Sequence, residues 1–341
     1  MKHMISCRLS IVLKRTMSLL LLWTFLLLVF AGYSVTGCAS PQSASSPGSL
    51  AEITDDYQSP TVAVVPKCTT VTYWRSVRSG AEEAGNKLGV KILWKGPASE
   101  MDVEEQKHIL DKFIDDKVSA IVFSACDSDA LIETARRAKA QGVAVVLIDS
   151  GINDDTIPVS YVATDNIEAG RQAGHKLAQL IGRKGKVGLI PIVRGVLCSD
   201  EREKGFKEAI SCYPGITLGP VICSESIIEK GRDAAESMIT GYPDLKGIFA
   251  INGAGGVGAA EAIRKRNCKG RVKLVAFDSM EQELDALKAG IIQALVIQDP
   301  VKIGFEGVKA AVDSMNGKPV NKNITTGVNI ITTEEINQPL P

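Results

Sequence analysis

Eight consecutive residues, Lys67-Cys68-Thr69-Thr70-Val71-Thr72-Tyr73-Trp74, gather an ammonium, a thiol, three threonine hydroxyls and two adjacent aromatic rings. Rings of this kind pack on the apolar faces of a small molecule, and the polar groups around them hydrogen-bond its rim. Further polar residues stand where apolar runs stop: Asp149 after Val-Leu-Ile, Asn252 after Phe-Ala-Ile, Asp278 after Val-Ala-Phe, and Gln298 before Asp299-Pro300. Arg202 lies in Arg-Glu-Lys-Gly-Phe, at the start of a helical pattern. A different chemistry is suggested by Gly253-Ala-Gly-Gly-Val-Gly258, a GxGxxG run with Asp278 twenty residues beyond it. That is the dinucleotide fingerprint, in which glycines admit a pyrophosphate and the acid holds a ribose, and taken alone it would suggest an NAD-dependent dehydrogenase. Nothing nearby supplies a general acid for hydride transfer. His3, His108 and His175 are not clustered, and no nucleophile–base pair has sensible spacing. Binding without catalysis, and without a cofactor or metal, is the expectation.

These residues need a scaffold that brings them together. The run at 61–65 (Thr-Val-Ala-Val-Val) reads as a buried parallel strand and stops at Pro66. A helix opens near Tyr73, carries Val77, Ala81, Ala84 and Leu88 at helical spacing, and ends at Gly89. The Lys67–Trp74 loop therefore sits at the carboxyl end of the first strand, the edge where open α/β sheets bind ligands. Strands are expected next at 90–94, 120–123, 143–148 and 161–162, with helices at 103–113 and 130–140. The alternation restarts with helices at 167–181, 201–210, 233–239, 256–264 and 281–288. Strands fall between them at 186–192, 221–224, 247–251, 273–277 and 294–298. A helix at 303–315 and an extended segment at 324–331 close the pattern. Such alternation predicts two doubly wound parallel-sheet α/β lobes with a ligand cleft between facing strand ends.

The amino-terminal region is expected to be a targeting segment. Lys2, Arg8, Lys14 and Arg15 precede a nearly unbroken apolar run from Met17 to Phe30. The run leads to Val35-Thr36-Gly37-Cys38, which resembles the lipobox of bacterial lipoproteins, where cleavage precedes a lipidated Cys. An uncleaved signal anchor is the competing reading, since the run nearly spans a bilayer. Either way the globular part is expected outside the cytoplasm. Residues 39–59, rich in Ser, Pro, Gly and Ala, read as a flexible tether. Lys plus Arg and Asp plus Glu both number 39, so no basic field favours nucleic acid. Six cysteines follow Cys38: Cys68, Cys126, Cys198, Cys212, Cys223 and Cys268. Export permits disulfides among them, and free buried thiols are the alternative. Cys68, Cys126 and Cys198 each follow a strand, which would bring thiols near the cleft as a weakly polar wall.

The order and spacing of several short motifs resemble the ribose-type (type I) periplasmic sugar-binding proteins of ABC importers, from about Thr61 to Ile331. The carriers are Tyr73-Trp74, Ala125–Ala130 (ACDSDA), Ile148-Asp149, Ala163-Thr-Asp-Asn166, Arg202–Phe206, Ile251-Asn252, Phe277-Asp278 and Ile297-Gln-Asp-Pro300. The resemblance implies a monosaccharide or similar polyhydroxylated molecule held in the cleft. Tyr73 and Trp74 would stack on it or line the pocket, with Asp149, Arg202, Asn252, Asp278 and Gln298 as polar contacts. Pro66-Lys67 looks like the Pro-Lys of the furanosyl-autoinducer-binding subgroup, in which the Lys touches ligand. Each residue also has a structural alternative: a hydrophobic cap for the rings, turn capping for Asp149, surface pairing with Glu201 or Glu203 for Arg202. Ser150 stands where the ribose-type pattern has Arg, and Ser226 near where it has a further aromatic, which puts ribose itself in doubt.

The resemblance further implies a monomeric lipoprotein held to the membrane by its N-terminal lipid, with an ABC permease as partner and no nucleic acid. A sensory module read by a chemoreceptor or histidine kinase would use the same binding chemistry. A DNA-binding regulator of the same fold is excluded, because no helix-turn-helix precedes the first strand. The expected division is 1–38 signal, 39–59 tether, 60–163 plus 299–322 first lobe, 164–298 plus 323–335 second lobe, and 336–341 tail. Hinges are expected near 162–164, 298–300 and 322–325.

Overall fold

A computed structural model of the chain describes residues 60–336. The signal and tether expected at 1–59, with Cys38, lie outside the described residues, as do 337–341. Among the described residues no helix is long and apolar enough to cross a membrane.

The first lobe starts with β1 (Thr61–Val65), α1 (Thr72–Leu88), β2 (Lys91–Trp94), α2 (Val103–Asp115), β3 (Ala120–Phe123), α3 (Ile132–Ala140), β4 (Ala144–Ile148) and β5 (Ser160–Ala163). The second holds α4 (Asn166–Leu180), β6 (Gly185–Ile190), α5 (Leu197–Ser211), β7 (Ile216–Val221), α6 (Ile228–Gly241), β8 (Leu245–Ala250), α7 (Gly253–Lys265), β9 (Lys273–Phe277), α8 (Glu281–Lys288) and β10 (Ala294–Ile297). The chain then returns through α9 (Pro300–Met315) and β11 (Asn323–Thr325) to the first lobe, and ends with β12 (Asn329–Thr332) and α10 (Thr333–Ile336) in the second.

Each lobe has a six-stranded sheet, ordered β11-β5-β4-β3-β1-β2 and β12-β10-β9-β8-β6-β7. The first is parallel throughout. The second is parallel except for β12, which runs antiparallel to β10. β1 shows why the apolar runs are continuous: Val62 and Val64 pack with Val77, Ala81, Ile303 and Val308 on one face. Ala63 and Val65 pack with Ile109, Leu110 and Phe113 on the other. A strand covered by helices on both faces has no solvent side to make polar.

Close helix packing depends on glycine. A Cβ at Gly205 of α5 would lie 1.9 Å from the Ile167 carbonyl oxygen of α4, and one at Gly170 would lie 2.1 Å from that of Arg202. The α1–α9 pair in the first lobe repeats the device: a Cβ at Gly304 would lie 2.0 Å from the Val77 carbonyl. Backbone therefore rests on backbone in both pairs. In the second lobe this contact sets the Arg202 backbone directly against α4.

Two expectations need correction. β7 spans Ile216–Val221, not 221–224. Gly219 and Pro220 obscure the apolar pattern, and an edge strand tolerates a proline that a central one would not. The segment 323–325 belongs to the first lobe, since β11 pairs parallel with β5. The third crossing is thus 326–328, and the extended segment expected at 324–331 is two strands in different sheets.

Candidate functional site

The carboxyl ends of the two sheets face each other, and the loops leaving them supply the side chains that border one pocket. Tyr73, Trp74, Asp149, Arg202, Asn252, Asp278, Gln298 and Lys67 all border it. So does Cys198, the one of the three strand-end thiols to do so, and so do Glu100, Ile192, Ser226 and Met280, which were not among the expected contacts.

From the first lobe, Lys67 follows β1 and Asp149 follows β4, and both are buried. Lys67 Nζ lies 3.3 Å from Asp149 Oδ2. Asp149 Oδ2 also accepts from Ser124 Oγ at 3.0 Å, and Oδ1 accepts from Tyr73 OH at 2.9 Å. Burial alone would raise the Asp149 carboxyl, but the charges of Lys67 and Arg202 and the two hydroxyl donors outweigh it and hold it below its ordinary value. Burial likewise acts to lower Lys67, yet Cys198, Asp149 and Glu100 hold its ammonium well above the ordinary value. Trp74 stands edge-on to Tyr73 with centroids 5.0 Å apart. Its indole N–H donates to Glu100 Oε1 at 2.9 Å.

From the second lobe, Arg202 is buried and stacks over the Phe277 ring, its guanidinium carbon 3.6 Å from the centroid. Three of its five N–H groups are engaged by protein: Nε with Asn166 Oδ1, Nη1 with the Ile251 carbonyl, Nη2 with Gln298 Oε1. One proton on each Nη remains. The structural alternative for Arg202, surface pairing with Glu201 or Glu203, is not what it does. Gln298 Oε1 also accepts from Thr164 Oγ1, so two of the crossings between lobes are bonded to each other beside the cavity. Gln298 Nε2 donates to Asp278 Oδ1 at 2.7 Å. Burial pushes the Asp278 carboxyl up, against the opposing pull of Arg202, Gln298 and the Gly253 N–H.

The two strand-end aspartates occupy equivalent places. Asp149 and Asp278 both have positive φ, 58° and 82°. Each donates its backbone N–H to the neighbouring strand, to Val162 and Val296 respectively. Asp tolerates this region better than most residues, and such strain collects at functional sites.

The GxGxxG run is used otherwise than its fingerprint suggests. α7 begins at Gly253, earlier than the expected 256. The Gly253 N–H is taken by Asp278 Oδ2 and the Gly255 N–H by Asn252 Oδ1. A Cβ at Gly258 would lie 2.3 Å from the Ile228 carbonyl, and one at Gly256 would lie 2.2 Å from Glu283 Oε1. These glycines serve close packing, and the helix N-terminus is closed by protein groups. The six described cysteines are free; Cys198 borders the pocket, whereas Cys68 and Cys126 are buried in the first lobe without lining it, the Cys126 thiol donating to the Lys67 carbonyl. No group of three His, Cys, Asp or Glu that could hold a metal lies among the described residues.

A two-lobed parallel α/β fold with its polar cluster at the facing strand ends defines the periplasmic-binding class of solute receptors. The chain belongs to that family: residues 62–319 match the periplasmic binding protein domain. It is 28% identical over 268 residues to the D-ribose/D-allose-binding protein of Pseudomonas aeruginosa, covering 76% of this chain and 84% of that one. A ribose import binding protein of Bacillus subtilis is also 28% identical, over 76% of this chain and 83% of its own length. Among solved structures, a solute-binding protein from Agrobacterium radiobacter in complex with D-arabinose superposes with a TM-score of 0.79 at 33% identity. The match covers 82% of this chain and 97% of that one. One from Agrobacterium vitis bound with α-D-tagatopyranose gives 0.79 at 30% identity, with the same coverage.

Proposed function

We propose that this chain is an extracytoplasmic solute receptor that captures a small neutral sugar, or a similar polyhydroxylated molecule, and delivers it to the permease of an ABC importer. The carrying observation is the state of the two cations that border the cavity. Lys67 is held by Asp149, and Arg202 is engaged by Asn166, Ile251 and Gln298. Three carboxylates, Glu100, Asp149 and Asp278, border the same space, and each has about four acceptor positions. A sugar acid or phosphate would meet these carboxylates with little cationic compensation. Hydroxyl groups, which donate as well as accept, fit the acceptor-rich wall, and Tyr73 supplies a ring for a C–H face.

A ligand touching Asp149 and Asp278 together contacts both lobes, so its binding favours the closed arrangement over the open one. That shift is the signal a membrane permease would recognise. The monosaccharides held by relatives support the ligand class. The same proposal includes a lipid on Cys38, a flexible tether at 39–59, and a monomeric receptor that binds without reaction.

A thermal-shift screen with pentoses, hexoses, deoxysugars, polyols and the furanosyl autoinducer, with amino acids and nucleosides alongside, tests it. A ligand at about 100 times its Kd adds roughly 2.7 kcal/mol, several degrees in a protein of this size. The expected result is a shift from one or a few monosaccharides that Asp149→Ala abolishes. A shift from amino acids or nucleosides alone would overturn the sugar reading.

A further inference from the structure

Glu100 stands in the loop after β2 and belongs to no motif, yet it joins the two lobes. Its Oε1 accepts the Trp74 indole N–H at 2.9 Å, within the first lobe. Its Oε2 accepts the Ser226 hydroxyl at 2.5 Å, from the second lobe. Ser226 Oγ in turn accepts from Asn252 Nδ2 at 2.8 Å. One continuous chain of hydrogen bonds therefore runs from an aromatic wall of the cavity, across the cleft, to the N-cap of α7.

The backbone beside Ser226 carries a second sign. Glu225 and Ser226 are consecutive non-glycine residues with positive φ, 53° and 54°. Left-handed backbone at two consecutive non-glycine residues is unfavourable and persists only where surrounding contacts over-determine it. Those contacts are present: the Ser224 and Glu225 N–H groups donate to the Pro191 and Ile192 carbonyls. Ser224 Oγ also donates to Pro191. On the opposite side, Thr69 and Thr70 hydroxyls donate to the Pro97 and Ala98 carbonyls and hold the loop that carries Glu100. Each half is anchored in its own lobe, with its polar group directed at the other.

We infer that Glu100 and Ser226 form a clasp that closes the cleft, with Glu100 positioning Trp74 at the same time. Part of the closing free energy then comes from protein–protein hydrogen bonds, and the closed arrangement is populated before any solute arrives. Breaking the clasp leaves each lobe intact and shifts the pair toward open. Holding a cleft shut around a solute presupposes the receptor reading, but the clasp itself is measurable with no solute present.

Cys198 provides the probe, because it is buried at the cross-cleft contact, with Lys67 Nζ 3.6 Å from its sulfur. Cys268, buried in the core of the second lobe, is the internal control. The rate of N-ethylmaleimide addition at each is read by peptide mass spectrometry on the full-length, sugar-free protein. Loss of one hydrogen bond to a charged group predicts that Glu100→Ala and Ser226→Ala each accelerate labelling of Cys198 about ten- to a hundredfold. Cys268 should be unchanged, and the double variant no faster than the faster single one. Unchanged Cys198 labelling, multiplicative effects of the two substitutions, or an equal acceleration at Cys268 would each overturn the clasp. If the clasp result holds but no sugar binds, only the ligand class proposed above is wrong.

Discussion

Lys67 and Asp149, carried by different strand-end loops of the first lobe, are paired at 3.3 Å with both side chains almost wholly out of solvent. A buried pair is far more sensitive to loss of one member than its net worth implies, because the survivor is left charged and uncompensated. Lys67→Met alone should destabilise by about 3–5 kcal/mol, as should Asp149→Leu, and the double variant by much less than the sum. Urea unfolding of the three variants measures this. Additive losses would show that the two groups do not stabilise each other.

The glycine contacts predict opposite signs for the same substitution. Gly205→Ala places a methyl 1.9 Å from the Ile167 carbonyl, so α4 and α5 must separate. A loss of about 1–3 kcal/mol follows, with weakened ligand binding as Arg202 moves. Gly241→Ala, where a Cβ meets nothing within 4 Å, should stabilise by about 0.5 kcal/mol through the unfolded chain. Melting temperatures displaced in the same direction would contradict the packing account.

The two aspartates should respond oppositely to acid. Asp149 is depressed in the folded state, so its stabilisation is complete above its ordinary value of 3.8 and is lost as pH falls through the lower folded value. Asp278 is raised, so the folded state binds its proton more tightly than the unfolded one. Stability from that group grows as pH falls from its raised value toward the ordinary one. Carboxyl-carbon NMR titration should place Asp278 above 3.8 and Asp149 below it. The reverse order would show that the electrostatic picture of the site is wrong.

Dinucleotides should not bind at α7. The Gly253 and Gly255 N–H groups already have protein acceptors, and Asp278 is bonded to Gln298. Saturating NAD is predicted to leave the melting temperature where it was. A saturable NAD shift that Asp278→Ala removes would restore the dehydrogenase reading.

Most of the site residues that could be found in the sequence share one property: each follows an apolar strand at its carboxyl end or opens the following helix, whereas Arg202, inside α5, was legible only through the resemblance. Asp149, Asn252, Asp278 and Lys67 carry that signal locally. Glu100 does not. It sits in a polar stretch, Ser99-Glu-Met-Asp102, and its role comes from Ser226, 126 residues away. Ser226 itself was visible only as a missing aromatic. The lobe assignment of β11 was hidden for a similar reason. A three-residue strand has no periodicity, and its place beside β5 is set by backbone pairing with Tyr161, Val162 and Ala163. Doubly wound alternation made both lobes legible, while contacts between distant loops were not.

Isothermal titration of the purified protein with the monosaccharides held by its relatives, D-ribose, D-allose, D-arabinose and D-tagatose, tests the central claim most directly. The account predicts saturable one-site binding of at least one of them, weakened at least about a hundredfold by Asp149→Asn, in line with the ~3 kcal/mol attached to a buried charged contact. Saturable binding that Asp149→Asn leaves intact, or no heat from any neutral sugar alongside tight binding of an anionic one, would contradict it.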